Sequence, residues 1–231
     1  MIVGVLAGRA TAADARRAIR IGADLIEIRA DLLSGGPRRA GGLIRAVRRS
    51  GIPVILTIRD TKEGGRGPSD RRRLALYRSL LPLTDWVDVE CRARIAKDVV
   101  KKARSAGVGV ILSHHDFSGV PTRNALRTVV RDAAALGADV VKIAALARTR
   151  AEVRRFEDGV AGLGAGCLAG HGVAADVPVA AIPMGPHAAW GRARAWRAGC
   201  PLLYGHVGFP TAPGQPSLRS LSRLLTARLI S

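Results

Sequence analysis

The sequence predicts an α/β chain folded as a single-domain (β/α)8 barrel, and three observations predict it. Short β-branched runs alternate with longer amphipathic stretches along the whole chain. The strand candidates are short and uniformly apolar, as parallel strands buried on both faces are. Aromatic residues make up only 3% of a chain that is 48% hydrophobic, so the core must rest on Ala, Val, Leu and Ile. That balance suits a helix-rich layered fold better than an aromatic-rich β fold. At 231 residues, the stretch 1–231 is a comfortable size for one such catalytic domain.

Strands are expected at Ile2–Leu6, Asp24–Ile28, Pro53–Ile58, Trp86–Glu90, Val108–Ser113, Asp139–Ile143, Val177–Ile182 and Leu202–Val207. Helical patterns fill the intervals at Ala12–Ile21, Arg38–Arg49, Asp70–Leu81, Ile95–Ser105, Arg123–Leu136, Arg150–Leu163, Ala188–Arg197 and Ser217–Leu229. Glycines at 22, 107 and 137 sit between a helical pattern and the next strand, where a left-handed residue ends a helix. The seventh unit has the least certain boundaries, because the stretch 162–172 holds five glycines. An open doubly wound sheet is the alternative architecture. The first βα turn, Leu6-Ala7-Gly8-Arg9, lacks GxGxxG and no GxxxxGK[ST] occurs, so nucleotide-binding versions of that sheet lose support.

Composition narrows the function classes. No stretch approaches the roughly 20 apolar residues of a membrane span, and the apolar start precedes its first charges, unlike a secretory signal. Folded protein is therefore expected from Met1 onward. Cys91, Cys167 and Cys200 are odd in number and far apart, which suggests neither a disulfide framework nor a zinc site and fits a reducing cytoplasm. The net charge of +19 raises nucleic acid as a partner. Yet the charge is spread widely and is nearly all arginine. Its densest runs, Arg71-Arg72-Arg73 and Arg16-Arg17, fall on predicted helix surfaces without interleaved aromatics to stack bases. A solvated basic surface that attracts an anionic substrate is the better reading, with no specific nucleic acid and no membrane partner.

Barrel chemistry gathers at the C-terminal ends of strands. Those ends carry Glu27-Ile28-Arg29-Ala30-Asp31, Thr57-Ile58-Arg59, Asp88-Val89-Glu90, Ser113-His114-His115-Asp116-Phe117 and Val141-Lys142-Ile143. The other lysines, at 62, 97, 101 and 102, lie in loop or helix-surface contexts. Lys142 alone sits inside an apolar strand, where burial and nearby arginines favour the neutral amine, a nucleophile toward ketones. The competing reading pairs Lys142 with Asp88 or Glu90. His115 lies on the neighbouring strand and titrates in the range that proton transfer needs. Glu63, from the third βα loop, could fix its tautomer; a purely structural His115 is the alternative. Arg29 and Arg59, matched with Glu27 and Glu63, form either internal salt bridges or a carboxylate-binding pair.

These residues resemble the type I 3-dehydroquinate dehydratases over nearly the full chain and in strand order. The matching stretches are Glu27-x-Arg29-x-Asp31, Thr57-x-Arg59 with Glu63-Gly64-Gly65, Asp88-x-Glu90, Ser113-x-His115-Asp116-Phe117, Val141-Lys142-Ile143-Ala144, Met184-Gly185 and Ala212-Pro213-Gly214-Gln215. The resemblance implies a TIM-barrel lyase of the shikimate pathway of aromatic amino acid biosynthesis, needing no metal or cofactor, cytoplasmic and homodimeric. It implies that Lys142 forms a Schiff base with 3-dehydroquinate, that His115 moves the protons and that Glu63 orients His115. Substrate contacts fall to Glu27, Arg29, Arg59, Arg192, Thr211 and Gln215. Arg194 competes with Arg192 for the substrate carboxylate. Ala188 and Gly191 stand where the family carries glycine and serine, and Gly4 stands where a serine is frequent, which implies a missing substrate hydrogen bond. Thr211 keeps the hydroxyl of the commoner serine, and the SxHDF register selects His115 over His114. Two rivals are a class I aldolase on the same lysine and a basic RNA-binding barrel.

Overall fold

In the computed structural model, which describes residues 1–164 and 176–226, strand and helix alternate throughout. The strands are β1 (Ile2–Gly8), β2 (Leu25–Leu33), β3 (Val54–Thr57), β4 (Trp86–Glu90), β5 (Gly109–Asp116), β6 (Val140–Leu146), β7 (Val179–Met184) and β8 (Leu203–Val207). The helices are α1 (Ala12–Ile21), α2 (Pro37–Arg48), α3 (Asp70–Leu80), α4 (Ala96–Ser105), α5 (Arg123–Leu136), α6 (Arg150–Val160), α7 (Ala188–Arg197) and α8 (Leu218–Thr226). Every paired strand is parallel, in the order β7-β6-β5-β4-β3-β2-β1-β8. β1 pairs with β8, and β7 touches β8 without a ladder between them. This is a nearly closed (β/α)8 barrel. A doubly wound sheet would reverse its strand order at a switch point, and this order never reverses.

Local chemistry explains the elements. Thr11 and Asp14 form a capping box at the start of α1, and Thr122 and Thr149 accept from the third residues of α5 and α6. Gly22, Gly107 and Gly137 adopt φ of 103°, 67° and 96°, the left-handed exits expected of them. Three aspartates then repeat one device at the base of the barrel. Asp24, Asp85 and Asp139 each precede an even-numbered strand and accept an amide from the start of the strand before it, from Ile2, Val54 and Val110, at 2.7, 2.9 and 2.7 Å.

Strands β1, β2, β5, β6 and β7 run two to five residues beyond their expected ends. The apolar pattern stops where polar side chains begin, but the ladder continues through Arg29, His115 and Ala145. Those polar residues are therefore carried on strand backbone. Cys91 is a free thiol, while Cys167, three of the five glycines in the seventh unit and the last residues of the predicted eighth helix lie outside the described residues. No helix among the described residues is long and apolar enough to cross a membrane.

The departures from the family pattern acquire physical reasons. A Cβ on Gly4 would meet Ala18 Cβ at 3.1 Å and Ile26 Cδ1 at 3.2 Å, so position 4 faces the helical layer. The hydrogen bond expected to be missing there is not one this position could make. A Cβ on Gly191 would lie 2.6 Å from Pro183 Cγ and 2.8 Å from Val153 Cγ1, where α7 presses on β7. Gly191→Ser should therefore cost roughly 1–3 kcal/mol through overpacking, read as a lowered midpoint in urea or thermal unfolding. An unchanged midpoint would show that the α7–β7 contact gives way freely.

Candidate active site

Lys142 projects from β6 into the top of the barrel. Its register partner across β5 is Ser113, and His115 sits two residues further along β5, on the same face. Lys142 is buried, and its Nζ lies 2.5 Å from Asp88 Oδ2, 4.0 Å from Glu27 Oε1 and 4.6 Å above the ring of Tyr204. The expectation of an unpaired amine is therefore corrected. Of the two readings, the pairing with Asp88 is realised, and it coexists with a place on the cleft wall.

Asp88 belongs to a larger buried network. Arg59 donates to Asp88 at 2.8 Å, to Ser113 Oγ at 2.6 Å and to Glu90 at 3.1 Å. Ser113 donates to Asp88 at 2.7 Å. Glu90 also accepts from the backbone of Asp60, at 2.8 Å, and from Arg73. Burial pushes the Asp88 carboxyl up, but Arg59 and Lys142 outweigh it and hold Asp88 well below the ordinary carboxylate range. Burial likewise opposes the charge on Arg59, and Asp88 and Glu90 reverse that, raising its pKa well above the usual value.

Glu63 ends a short 3-10 turn, Thr61–Glu63, that the Asp60 carboxylate caps by accepting from Lys62 N at 3.0 Å. One oxygen of Glu63 accepts from both the backbone amide and Nδ1 of His115, at 3.0 and 2.8 Å. A carboxylate only accepts, so the proton sits on Nδ1 and the Nε2 lone pair is left free. Burial raises Glu63, but its contacts with His114 and His115 bring it down to about 2. Burial, then the Arg59 guanidinium, push His115 down to about 3, against the pull of Glu63. His115 is thus a neutral imidazole at working pH.

The glycines after Glu63 are required by contact. A Cβ on Gly64 would lie 2.6 Å from Phe117 Cζ, and one on Gly65 would lie 2.2 Å from the Arg59 carbonyl. Phe117 in turn stacks on His115, with centroids 6.5 Å apart. Asp116 accepts from Ser118 N and Oγ and Gly119 N, which turns the chain after β5.

Arg192 and Arg194 part company. Arg192 is buried on the cleft wall, donates from Nη1 to the Tyr204 carbonyl at 2.5 Å, and leaves Nε without a partner. It makes no ion pair among the described residues. Burial brings its pKa down to about 10, so it remains a cation with no counter-charge among the described residues. Arg194 instead points outward, with 44% of its side chain exposed, paired with Glu157 and stacked over Trp190.

One cleft of about 510 Å³ gathers Lys142, His115, Glu63, Glu27, Arg29, Arg59, Arg192, Thr211 and Gln215. Gln215 Oε1 accepts from Thr211 N and Oγ1 at 2.7 and 3.0 Å, and Gly185 N donates to the Pro213 carbonyl at 3.0 Å, pinning this loop to the end of β7. The proposed pairing of arginines and glutamates is corrected. Arg29 grips Asp31 at 3.0 and 2.8 Å instead of Glu27, which accepts from Thr57 at 2.7 Å; Arg59 is ion-paired to Asp88 and Glu90. The internal salt bridges are real, and the Arg29–Arg59 pair is not a vacant carboxylate grip.

Comparison with known proteins decides the family. Residues 6–231 match the type I 3-dehydroquinase family. The chain belongs to that family. It is 36% identical to the 3-dehydroquinate dehydratase of Methanothrix thermoacetophila over 91% of this chain and 84% of the relative. It is 34% identical to that of Thermococcus gammatolerans over 97% of both chains. The crystal structure of the 3-dehydroquinate dehydratase from Aquifex aeolicus matches with a TM-score of 0.83 at 26% identity, covering 99% of this chain and 98% of that one. The one from Geobacillus kaustophilus shares the fold, at a TM-score of 0.85 and 22% identity, over 99% of this chain and 91% of that one.

Sequence reasoning missed Arg73, Tyr77 and Tyr204. Arg73 was placed on a helix surface, yet it is 1% exposed, bonded to Glu90, Asp60, Asp70 and the Ile58 carbonyl. Tyr77 accepts from Ile58 N and donates to the Asp88 carbonyl. The signal was present, since Arg73, Tyr77 and Leu80 follow i, i+4, i+7 spacing on the buried face of α3. Arg73→Ala should cost roughly 3–5 kcal/mol, because it strips a cation from buried Glu90. Arg72→Ala, on the exposed side, should stay within about 0.5 kcal/mol. Equal unfolding midpoints for the two variants would refute the buried role.

Proposed function

We propose that the chain, acting as one catalytic domain over residues 1–231, dehydrates 3-dehydroquinate to 3-dehydroshikimate through an imine on Lys142. It would then be a hydro-lyase of the shikimate route to aromatic amino acids. The carrying observation is that one cleft holds a buried lysine amine, a neutral imidazole with a fixed tautomer, and the buried Arg192 guanidinium lacking an acidic partner. Such a guanidinium calls for an anion from outside, and the substrate carries a carboxylate.

In this reading, Arg192 takes the carboxylate and the substrate ketone comes to lie against Lys142. The Lys142 ammonium gives up a proton, for which neutral His115 is the acceptor on the cleft wall. The free amine adds to C3, His115 returns the proton to the carbinolamine hydroxyl, and loss of water leaves an iminium and a neutral imidazole. Its cation keeps the Asp88 carboxylate and the Tyr204 ring as neighbours. His115 Nε2 removes a proton from C2, and the electron pair moves toward the iminium nitrogen to give an enamine. The pair returns as the C1–O bond breaks, with the His115 proton passing to the departing hydroxyl. Hydrolysis of the new iminium releases the enone and restores the amine. Glu63 keeps His115 oriented; Glu27 and Arg29 face the substrate hydroxyls. Arg59 fixes Asp88 and hence Lys142, while Thr211 and Gln215 hold the covering loop and keep water out. We further propose, from the family resemblance, that it works in the cytoplasm as a homodimer.

Appearance of the conjugated enone in ultraviolet absorbance tests the reading. Lys142→Ala should abolish turnover with the fold intact, and His115→Ala should lose roughly 10²–10⁴-fold. Arg192→Ala should lower kcat/KM roughly 10–100-fold, the worth of a charged hydrogen bond, whereas Arg194→Ala should leave it unchanged. Wild-type turnover in Lys142→Ala, or no enone from the native chain, would overturn it.

A further inference from the structure

His114 takes no part in the mechanism above, yet it is placed against that mechanism. Strand alternation turns His114 and His115 to opposite faces of β5. Glu63 reaches between them from its 3-10 turn. Its Oε2 is occupied by His115, while its Oε1 lies 3.8 Å from Nδ1 of His114. That distance is ion-pair reach and not yet a hydrogen bond. Nδ1 of His114 is buried and has no hydrogen-bond partner among the described residues. A buried ring nitrogen left unpaired is costly, and the polar atom it faces is the second carboxylate oxygen.

We propose that His114 is a positioning residue for the dehydration: its imidazole braces the free oxygen of Glu63, so the carboxylate is held between two histidines in one orientation toward His115. The inference rests on the reading that Glu63 orients His115. A carboxylate tied at one oxygen can rotate about its side-chain axis and carry its partner with it. Tied at both, it cannot, and the Nε2 lone pair of His115 keeps its aim. The titratable and charged groups around this pair are His115 and Asp116 on β5, Cys91 after β4 and Arg59 after β3. Contact with His114 is among the influences that keep Glu63 ionised.

The test is the kcat and KM of the full chain on 3-dehydroquinate for four kinds of variant. His114→Phe and His114→Leu both remove the donor at different volumes, so whichever folds gives the reading. His114→Asn retains an amide that can reach the same oxygen, and Glu63→Gln is made alone and combined with each. The expected result is a kcat lowered about 10-fold in the donor-less variants and a KM within about twofold. His114→Asn should recover most of the rate, and the His114 changes should cost nothing further in the Glu63→Gln background. Wild-type kcat in a folded donor-less variant would overturn the proposal. So would a loss that adds in full to that of Glu63→Gln. If Glu63→Gln alone has no effect, it is the orienting role of Glu63 that fails, and the role of His114 falls with it.

Discussion

The site depends on one interaction, the buried ion pair between Lys142 and Asp88. Two charges withdrawn from water inside a barrel are stable only when their remaining hydrogen-bonding capacity is met. Here Asp88 accepts from Ser113 and Arg59 besides Lys142, and Arg59 is shared with Glu90, which Arg73 also holds. Tyr77 ties the backbone of β3 to that of β4 beneath them. Each member satisfies the next, and the chain of contacts runs from β6 through β5, β4 and β3 to α3. Lys142 is consequently held in one place, and a fixed nucleophile converts a bimolecular encounter into a local one.

The arginines divide by whether their charge is met within the protein. Arg29 and Arg59 are matched to Asp31, Asp88 and Glu90, so they organise the cleft. Arg192 is not matched, and a buried unmatched cation is the term that selects an anionic ligand. The same contrast separates it from Arg194, whose pairing with buried Glu157 of α6, outside the cleft, leaves nothing to offer a ligand there. Glycine plays the complementary part in the backbone. Gly64 and Gly65 let the Glu63 loop lie against Phe117 and Arg59, and at Gly214 a Cβ would sit 1.9 Å from the Gly185 carbonyl. Side chains at these positions would lift the loops that bear Glu63 and Gln215 away from the cleft.

Much of this was legible in the sequence because a parallel strand announces itself by an unbroken apolar run, and α1 and α5 by periodicity bounded with caps. The nine site candidates share a cleft because strand-end position fixes location on the rim. Pairing was less legible. Whether Arg29 meets Glu27 or Asp31 depends on side-chain reach within one strand, and whether Lys142 meets Asp88 depends on the stagger of three strands, neither of which a linear pattern encodes. Arg73 was misplaced because a charged residue in a basic run reads as surface, although its helical phase with Tyr77 placed it inside. Gly4 misled for a related reason, since strand alternation turns it away from the cleft.

The most direct test of the account is mass spectrometry after borohydride reduction in the presence of 3-dehydroquinate. It predicts a single ligand-derived mass increase on the peptide bearing Lys142, absent when that residue is alanine. Enone production by a chain whose Lys142 stays unmodified, or an adduct on Lys62, Lys97, Lys101 or Lys102 instead, would contradict it.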